Sequence, residues 1–275
     1  MKALFFGTSS FAVPSLRVTA ARTRLAGVVT QPDRPAGRGQ RPTPSPVKRA
    51  ALDLALGIYE PLSLRDFTRE MAAETFDLFV LASYGRILPQ GLLEQPRLGA
   101  LNVHPSLLPK YRGATPIQAA LRNGDPETGV TIMLMDAGMD TGDVVLQEQV
   151  RIEPGETYGE LHDRLALIGA SLLERALVSV ERDGSITHRP QTGLASTTRP
   201  IGREDLTIDW SWNPKTIVDH VRAFSPQPAA RAMLHGELVK ILRAHLNAEG
   251  EVEIDQLIAP NRGRMSGAEY MQSRK

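Results

Sequence analysis

The 275-residue chain contains no cysteine. That excludes disulfides, zinc–thiolate sites and a thiol nucleophile, and it fits a cytoplasmic protein. No stretch approaches the roughly 18 or more consecutive apolar residues of a membrane span, so a membrane partner is not expected. The start, MKALFFGTSS, carries one lysine and a short apolar run. It reads as a first strand, not as a signal peptide, which needs a longer apolar region and a cleavage site. An excess of charge of one sign is also missing: 32 Lys plus Arg against 31 Asp plus Glu leave a net charge of +1. A nucleic-acid partner must therefore be met by a local basic patch. There is no H-E-x-x-H, and His162, His188, His220, His235 and His245 have no metal-ligand spacing, so no metal is expected. Gly7 is followed by Thr8, Ser9 and Ser10 rather than by a G-x-G-x-x-G run, and no phosphate loop occurs. A nicotinamide cofactor is excluded on that ground.

What is present is an α/β pattern. Ala3 to Phe6, Leu25 to Thr30 and Leu78 to Ala82 read as buried strands. Phe11 to Arg22, Pro46 to Leu56 and Leu64 to Glu74 read as helices, the second with Ser45 as N-cap and Pro46 in its first turn. Alternation of this kind predicts a Rossmann-like, mostly parallel sheet with helices on both faces. Its ligands bind at the carboxyl ends of the strands. Thr157 with Glu160 forms a capping box ahead of a long helix, and Leu161, Leu165, Ile168, Leu172 and Ala176 make its core stripe. The stretch from Pro190 to Pro200 is rich in Thr, Ser, Gly and Pro and reads as a linker. A short helix near Pro214 to Ala223 and strands at Arg231 to Leu234 and Glu237 to Arg243 follow. The expected organisation is a catalytic domain over 1–189, a linker over 190–203 and a small β-rich domain over 204–275.

Two runs carry the chemistry: LNVHPSLLPKYRG (101–113) and GVTIMLMDAGMDTG (129–142). In the first, Asn102 and His104 are two residues apart at the end of an apolar strand. Alternation puts both on one face, while Leu101 and Val103 point into the core. Pro105 stops the strand. The second run delivers Asp140 in a glycine-flanked turn. A lone Asp in such a turn is usually a turn former. Together the three side chains suit transfer of an acyl-level carbon. That reaction needs a donor to a developing oxyanion, a proton manager, and a carboxylate that tunes the imidazole. A third feature is the loop Gln31 to Arg49, where Arg34, Arg38, Arg41, Lys48 and Arg49 face a single acid, Asp33.

NVHPSLLPKYRGATPIQAALRNGD followed by TGVTIMLMDAGMDTGDVVLQ resembles the formyltetrahydrofolate-dependent formyltransferases. GTSSFAVPSL, VVTQPDRPAGRGQRPTPSPVK, SYGRILP, REDLTIDWS and GRMSGAEYM resemble the branch acting on methionyl-tRNA, so the likeness covers most of the chain. It implies formyl transfer from 10-formyltetrahydrofolate, as co-substrate, to initiator methionyl-tRNA, in translation initiation. Asn102, His104 and Asp140 would be catalytic. The pterin would lie along Tyr84, Gly85, Ile87, Leu88 and Pro89, with Ile87 and Leu88 sandwiching its ring and Asp140 to Gly142 closing the other side. Ser106, Leu107, Leu108 and Pro109 would form the rim. Arg34, Arg38 and Arg41 would contact tRNA phosphates and strand ends, with Arg38 the best single contact. The last domain would be OB-like but shortened after Leu246, and the protein a monomer. Residues 201–275 hold ten basic and ten acidic side chains, a poor footprint for RNA. Ser9 stands where the family often has Pro, and Gln227 where an aromatic is common. An amino-sugar nucleotide or water as acceptor keeps the same chemistry. A non-catalytic tRNA- or folate-binding relative is the reading from another class.

Overall fold

The computed structural model describes residues 1–36 and 41–274. In chain order its elements begin β1 (Lys2–Gly7), α1 (Ala12–Arg22), β2 (Arg24–Val29), β3 (Arg34–Ala36), β4 (Arg41–Thr43), α2 (Pro46–Asp53), β5 (Ile58–Tyr59), α3 (Leu64–Glu70), β6 (Leu78–Ala82), α4 (Gln90–Leu93) and β7 (Ala100–His104). They continue with β8 (Arg112–Gly113), α5 (Pro116–Arg122), β9 (Glu127–Leu134), β10 (Val144–Arg151), α6 (Tyr158–Asp183), β11 (Thr197–Thr198) and α7 (Pro214–Phe224). Strands β12 (Ala230–Leu234), β13 (Glu237–Leu246), β14 (Val252–Ala259) and β15 (Gly263–Ser266) lead to α8 (Gly267–Gln272). The chain divides into two compact units. The first comprises Met1–Arg112, Gly129–Gln149 and Arg164–Ser196, the second Gly113–Thr128, Val150–Asp163 and Thr197–Lys275.

The central sheet has the order β10-β9-β7-β6-β1-β2-β5. β1 lies parallel to β2 and β6, β2 to β5, and β6 to β7, while β9 runs antiparallel to β7. The mostly parallel sheet is thus present. Its inner strands are continuous apolar runs because helices cover such sheets on both faces: Ala3 to Phe6 are wholly buried, and every residue of β6 is buried. The chain moves outward from β1 through β2 to β5, then returns to β6 on the other side of β1. The ligand crevice of such a sheet lies at that reversal, beyond the strands' carboxyl ends. There Thr8 Oγ1 donates to the Tyr84 carbonyl (2.9 Å).

Local signals explain most boundaries. Ser45 Oγ accepts from the Lys48 amide at the start of α2 (3.0 Å), with Pro46 in the first turn. Helix α2 stops at Asp53, short of the expected Leu56, and Ala55 takes a left-handed φ of 52°. Helix α3 is shorter than Leu64 to Glu74 because its last turn tightens into a 3₁₀ segment at Met71–Ala73. At α6 the Glu160 carboxylate accepts from the Thr157 amide (2.9 Å), as the capping box requires.

The second unit has its own core. Strands β12-β13-β14-β15 form an antiparallel sheet, and its Ile241 and Leu257 share one core with Leu206, Ile217, Val221, Phe224 and Tyr270. His235 and Gly236, both at positive φ, make the two-residue turn between β12 and β13. Tyr270 is wholly buried, and its hydroxyl donates to the Leu234 carbonyl (2.9 Å).

One buried group makes this unit sensitive to acid. Burial, reinforced by the charge of Arg122, pushes the pKa of His220 down from 6.5 to about 4. The unfolded chain takes up that proton near the ordinary value, so His220 contributes its full stability above about pH 6.5. The contribution falls as the pH drops towards 4, by about 3 kcal/mol at most. Urea unfolding at pH 7.5 and pH 4.5 should show this loss in the wild type and a smaller one in His220→Phe. Equal losses in both would assign the acid sensitivity to other groups.

Candidate active site

Asn102 and His104 end β7, between β6 and β9 in the sheet. The Asp140 carboxylate meets both. Asn102 Nδ2 donates to Asp140 Oδ1 at 3.4 Å, and His104 Nδ1 lies 3.5 Å from Asp140 Oδ2. His104 Nε2 lies 2.9 Å from the Tyr111 carbonyl oxygen, which can only accept. Nε2 therefore carries a proton, and Nδ1 is the nitrogen turned to the carboxylate. The imidazole is 95% buried and the carboxylate 85%, so their interaction is weakly screened by water. Asp140 sits at φ 53°, a left-handed conformation that Asp adopts more readily than most residues.

The turn that delivers Asp140 is fastened on several sides. Asp136 Oδ1 accepts from the Gly138 amide (3.0 Å) and from Thr141 Oγ1 (2.7 Å). Gln191 Nε2 donates to the carbonyls of Asp140 (2.8 Å) and Gly142 (2.7 Å), while its Oε1 accepts from Arg112 Nε (3.1 Å) and Nη2 (2.7 Å). Sequence reasoning missed Gln191, because it lies in the stretch read as a linker and has no periodicity to mark it. Gln191→Ala should lower kcat about 10- to 100-fold through a loosened turn, with the circular dichroism spectrum unchanged. Unaltered kcat would mean that the turn holds Asp140 without it.

The SLLP segment is set mainly by buried polar bonds. Thr131 Oγ1 donates to the Ser106 carbonyl (2.6 Å) and accepts from the Leu108 amide (3.2 Å). Gln147 Nε2 donates to the Leu108 carbonyl (3.0 Å). Ser106, Leu108 and Pro109 are buried and Leu107 is half-buried, so only part of this run can serve as a rim.

The YGRILP segment divides differently from the expectation. The Tyr84 ring is buried and packs edge-on against Phe6, with centroids 5.6 Å apart. Leu88 is also a core residue, whereas Ile87 is 81% exposed. The two side chains expected to sandwich a ring thus point apart, and only Ile87 is presented outward. Pro89 N-caps α4. Gly85 has φ 78°, and a Cβ there would lie 2.8 Å from Gln31 Nε2. Gln31 is nearly buried, donates to the Tyr84 carbonyl (2.7 Å) and accepts from Arg34. It therefore ties the basic loop to this segment, a role the sequence did not signal. Gly142 is demanded by its neighbours: a Cβ would lie 1.9 Å from the Leu134 carbonyl oxygen.

In the basic loop, β3 and β4 pair as an antiparallel hairpin. Arg34 is exposed at its start. Arg38 and the side chain of Arg41 lie outside the described residues. Lys48 does not belong to a free basic surface, since its Nζ lies 2.8 Å from both Asp33 and Glu60. The hydrogen bonds that Lys48 donates to those two carboxylates raise its pKa. Among the described residues no His, Cys, Asp and Glu cluster could hold a metal ion, and no helix is long and apolar enough to cross a membrane.

Comparison with known proteins identifies the family. A family model described as formyl transferase matches residues 1–177, and one described as formyl transferase, C-terminal domain, matches residues 200–253. A methionyl-tRNA formyltransferase of Pelotomaculum thermopropionicum is 46% identical over 248 residues, 89% of this chain and 79% of that protein. Among solved structures, the methionyl-tRNA formyltransferase from Clostridium thermocellum superposes with a TM-score of 0.62 at 14% identity, over 94% of this chain and 99% of that one. HypX from Aquifex aeolicus, in complex with tetrahydrofolic acid, gives a TM-score of 0.67 at 16% identity, over 98% of this chain and 47% of that one. These two likenesses concern the fold. The family model and the sequence identity carry the assignment: the chain belongs to the formyl transferase family, in its methionyl-tRNA formyltransferase group.

Proposed function

We propose that the protein transfers the formyl group of 10-formyltetrahydrofolate to the α-amino group of initiator methionyl-tRNA. The observation that carries this reading is the Asp140 carboxylate, with one oxygen on Asn102 and the other on His104, at the end of a sheet strand. The amine attacks the formyl carbon, so a new C–N bond forms as the carbonyl oxygen takes up charge. Asn102 Nδ2 is the donor for that oxygen. His104 Nδ1, backed by Asp140, is placed to hold the proton that leaves the amine. The bond from the formyl carbon to the folate nitrogen then breaks, and the proton passes to that nitrogen. His104 can do this without leaving its place, because its Nε2 stays on the Tyr111 carbonyl.

For the folate ring, the backbone around Gly85 and the exposed Ile87 are the groups of the YGRILP segment that this chain offers. Arg34, Arg38 and Arg41 would meet tRNA phosphates. Arg34→Ala should then weaken tRNA binding and reduce its salt slope by about one unit. A slope equal to the wild type would remove Arg34 from the interface.

An acceptor panel tests the reading. With 10-formyltetrahydrofolate as donor, charged initiator tRNA should be formylated in many turnovers. Uncharged tRNA and an amino-sugar nucleotide should not be formylated, and little formate should appear. Preference for the amino sugar, or formate as the main product, would transfer the same chemistry to another acceptor.

A further inference from the structure

The second unit contains a cavity of about 490 Å³, formed where α5, the chain around Thr197 to Asp205 and α7 come together. That volume lies within the range of pockets that enclose a small organic ligand. Its lining contains none of the residues assigned above to formyl transfer. We propose that it binds a single nucleotide unit, with the base beside Trp212 and His220 and the phosphate at Arg122.

Three observations support this. The first is an unsatisfied ring nitrogen. His220 is 97% buried, and its Nε2 has no hydrogen-bond partner. Burial holds the ring neutral near pH 7, so Nε2 is presented as an N–H or as a lone pair, according to the tautomer. A buried nitrogen of this kind calls for a hydrogen-bonding partner, such as the amino group, ring nitrogen or carbonyl of a base. The second is an indole. Trp212 is half-buried and stands edge-on to His220 (5.1 Å between centroids, 67°), which in turn packs edge-on against the wholly buried Phe224 (4.8 Å, 74°). A planar ring packs well on an indole held in this way.

The third is a cation. The cavity has two arginines. Arg199 is spoken for, with its two terminal nitrogens each 2.7 Å from a different oxygen of Asp205. Arg122 lies over the Phe224 ring, 5.6 Å from its centroid, and makes no ion pair among the described residues. It is exposed and matches one anionic group. Thr197 and Thr216 on the lining add hydroxyls suited to a sugar. Inorganic phosphate alone would leave the His220 nitrogen and the indole unused. An apolar ligand would leave both the His220 nitrogen and the cation unmet. A nucleotide unit meets all three, whether as a free nucleotide or as one residue of an RNA.

Both tryptophans of the chain lie near this site in sequence, so Trp210→Phe leaves Trp212 as the sole reporter. In that full-length background, AMP, CMP, GMP, UMP, a single-stranded hexaribonucleotide and inorganic phosphate are titrated against Trp212 fluorescence. The proposal expects saturable quenching by the nucleotides, at least tenfold weaker in Arg122→Gln. It also expects weaker binding with less discrimination among bases in His220→Phe. Tighter binding of the hexanucleotide would identify an RNA residue as the source, and tighter binding of a mononucleotide a free nucleotide. No saturable change, phosphate acting as well as the nucleotides, or unaltered binding in Arg122→Gln would overturn the proposal. Arg122 is at the surface, so its variant keeps the test decisive if His220→Phe does not fold.

Discussion

Asn102→Ala is expected to lower kcat/KM for formyl transfer about 100- to 1,000-fold, the usual cost of removing one donor from a developing oxyanion. The loss should fall mainly on kcat, because the donor matters more as the oxygen gains charge than in the ground state. Asp140→Asn is the sharper companion. Asn tolerates the left-handed φ of 53° at this position, so the turn should survive while the charge facing His104 Nδ1 is lost. Its kcat should fall as far as that of Asn102→Ala, and the double variant should fall much less than the product of the two, since one carboxylate bonds both side chains. Full additivity in the double variant would show that Asn102 and Asp140 act separately.

Gly142→Ala is expected to damage stability and activity together. The new Cβ would lie 1.9 Å from the Leu134 carbonyl oxygen, 3.0 Å from its carbon and 3.3 Å from the Asp136 amide nitrogen. All three are backbone atoms, so no flexible side chain can give way. The adjoining strand is also pinned, because the Leu134 amide donates to the Asp143 carbonyl (2.8 Å). Overpacking of this kind costs about 1–3 kcal/mol. It should also move Asp140 enough to lower kcat at least about 100-fold. Urea unfolding and steady-state kinetics on the same sample check both. A variant with wild-type stability and rate would mean that the turn adapts, and that Gly142 is not what fixes Asp140.

The parts of the fold legible in the sequence are those governed by short periods. β1 and β6 are buried apolar runs, Ser45 and Pro46 open α2 as their types require, and the two-residue spacing of Asn102 and His104 brings both to Asp140. Legibility fails where the partner is far along the chain. Gln191 reaches Asp140 across 51 residues, and Lys48 reaches Asp33 across 15, from positions that local pattern leaves unmarked. Adjacent residues such as Ile87 and Leu88 also part company, because in a turn no fixed period says which side chain the core will claim. The cavity at Arg122 and His220 draws on segments nearly a hundred residues apart and has no signature in either.

Formyl transfer comes down to the fate of one carbon. A single-turnover reaction with excess enzyme, charged initiator tRNA and 10-formyltetrahydrofolate labelled with carbon-13 in the formyl group follows it directly. The label should appear on the α-amino nitrogen of methionyl-tRNA with wild-type enzyme, and remain on the folate with Asn102→Ala over the same interval. Label recovered as formate would make water the acceptor, and transfer at the wild-type rate by Asn102→Ala would remove Asn102 from the reaction.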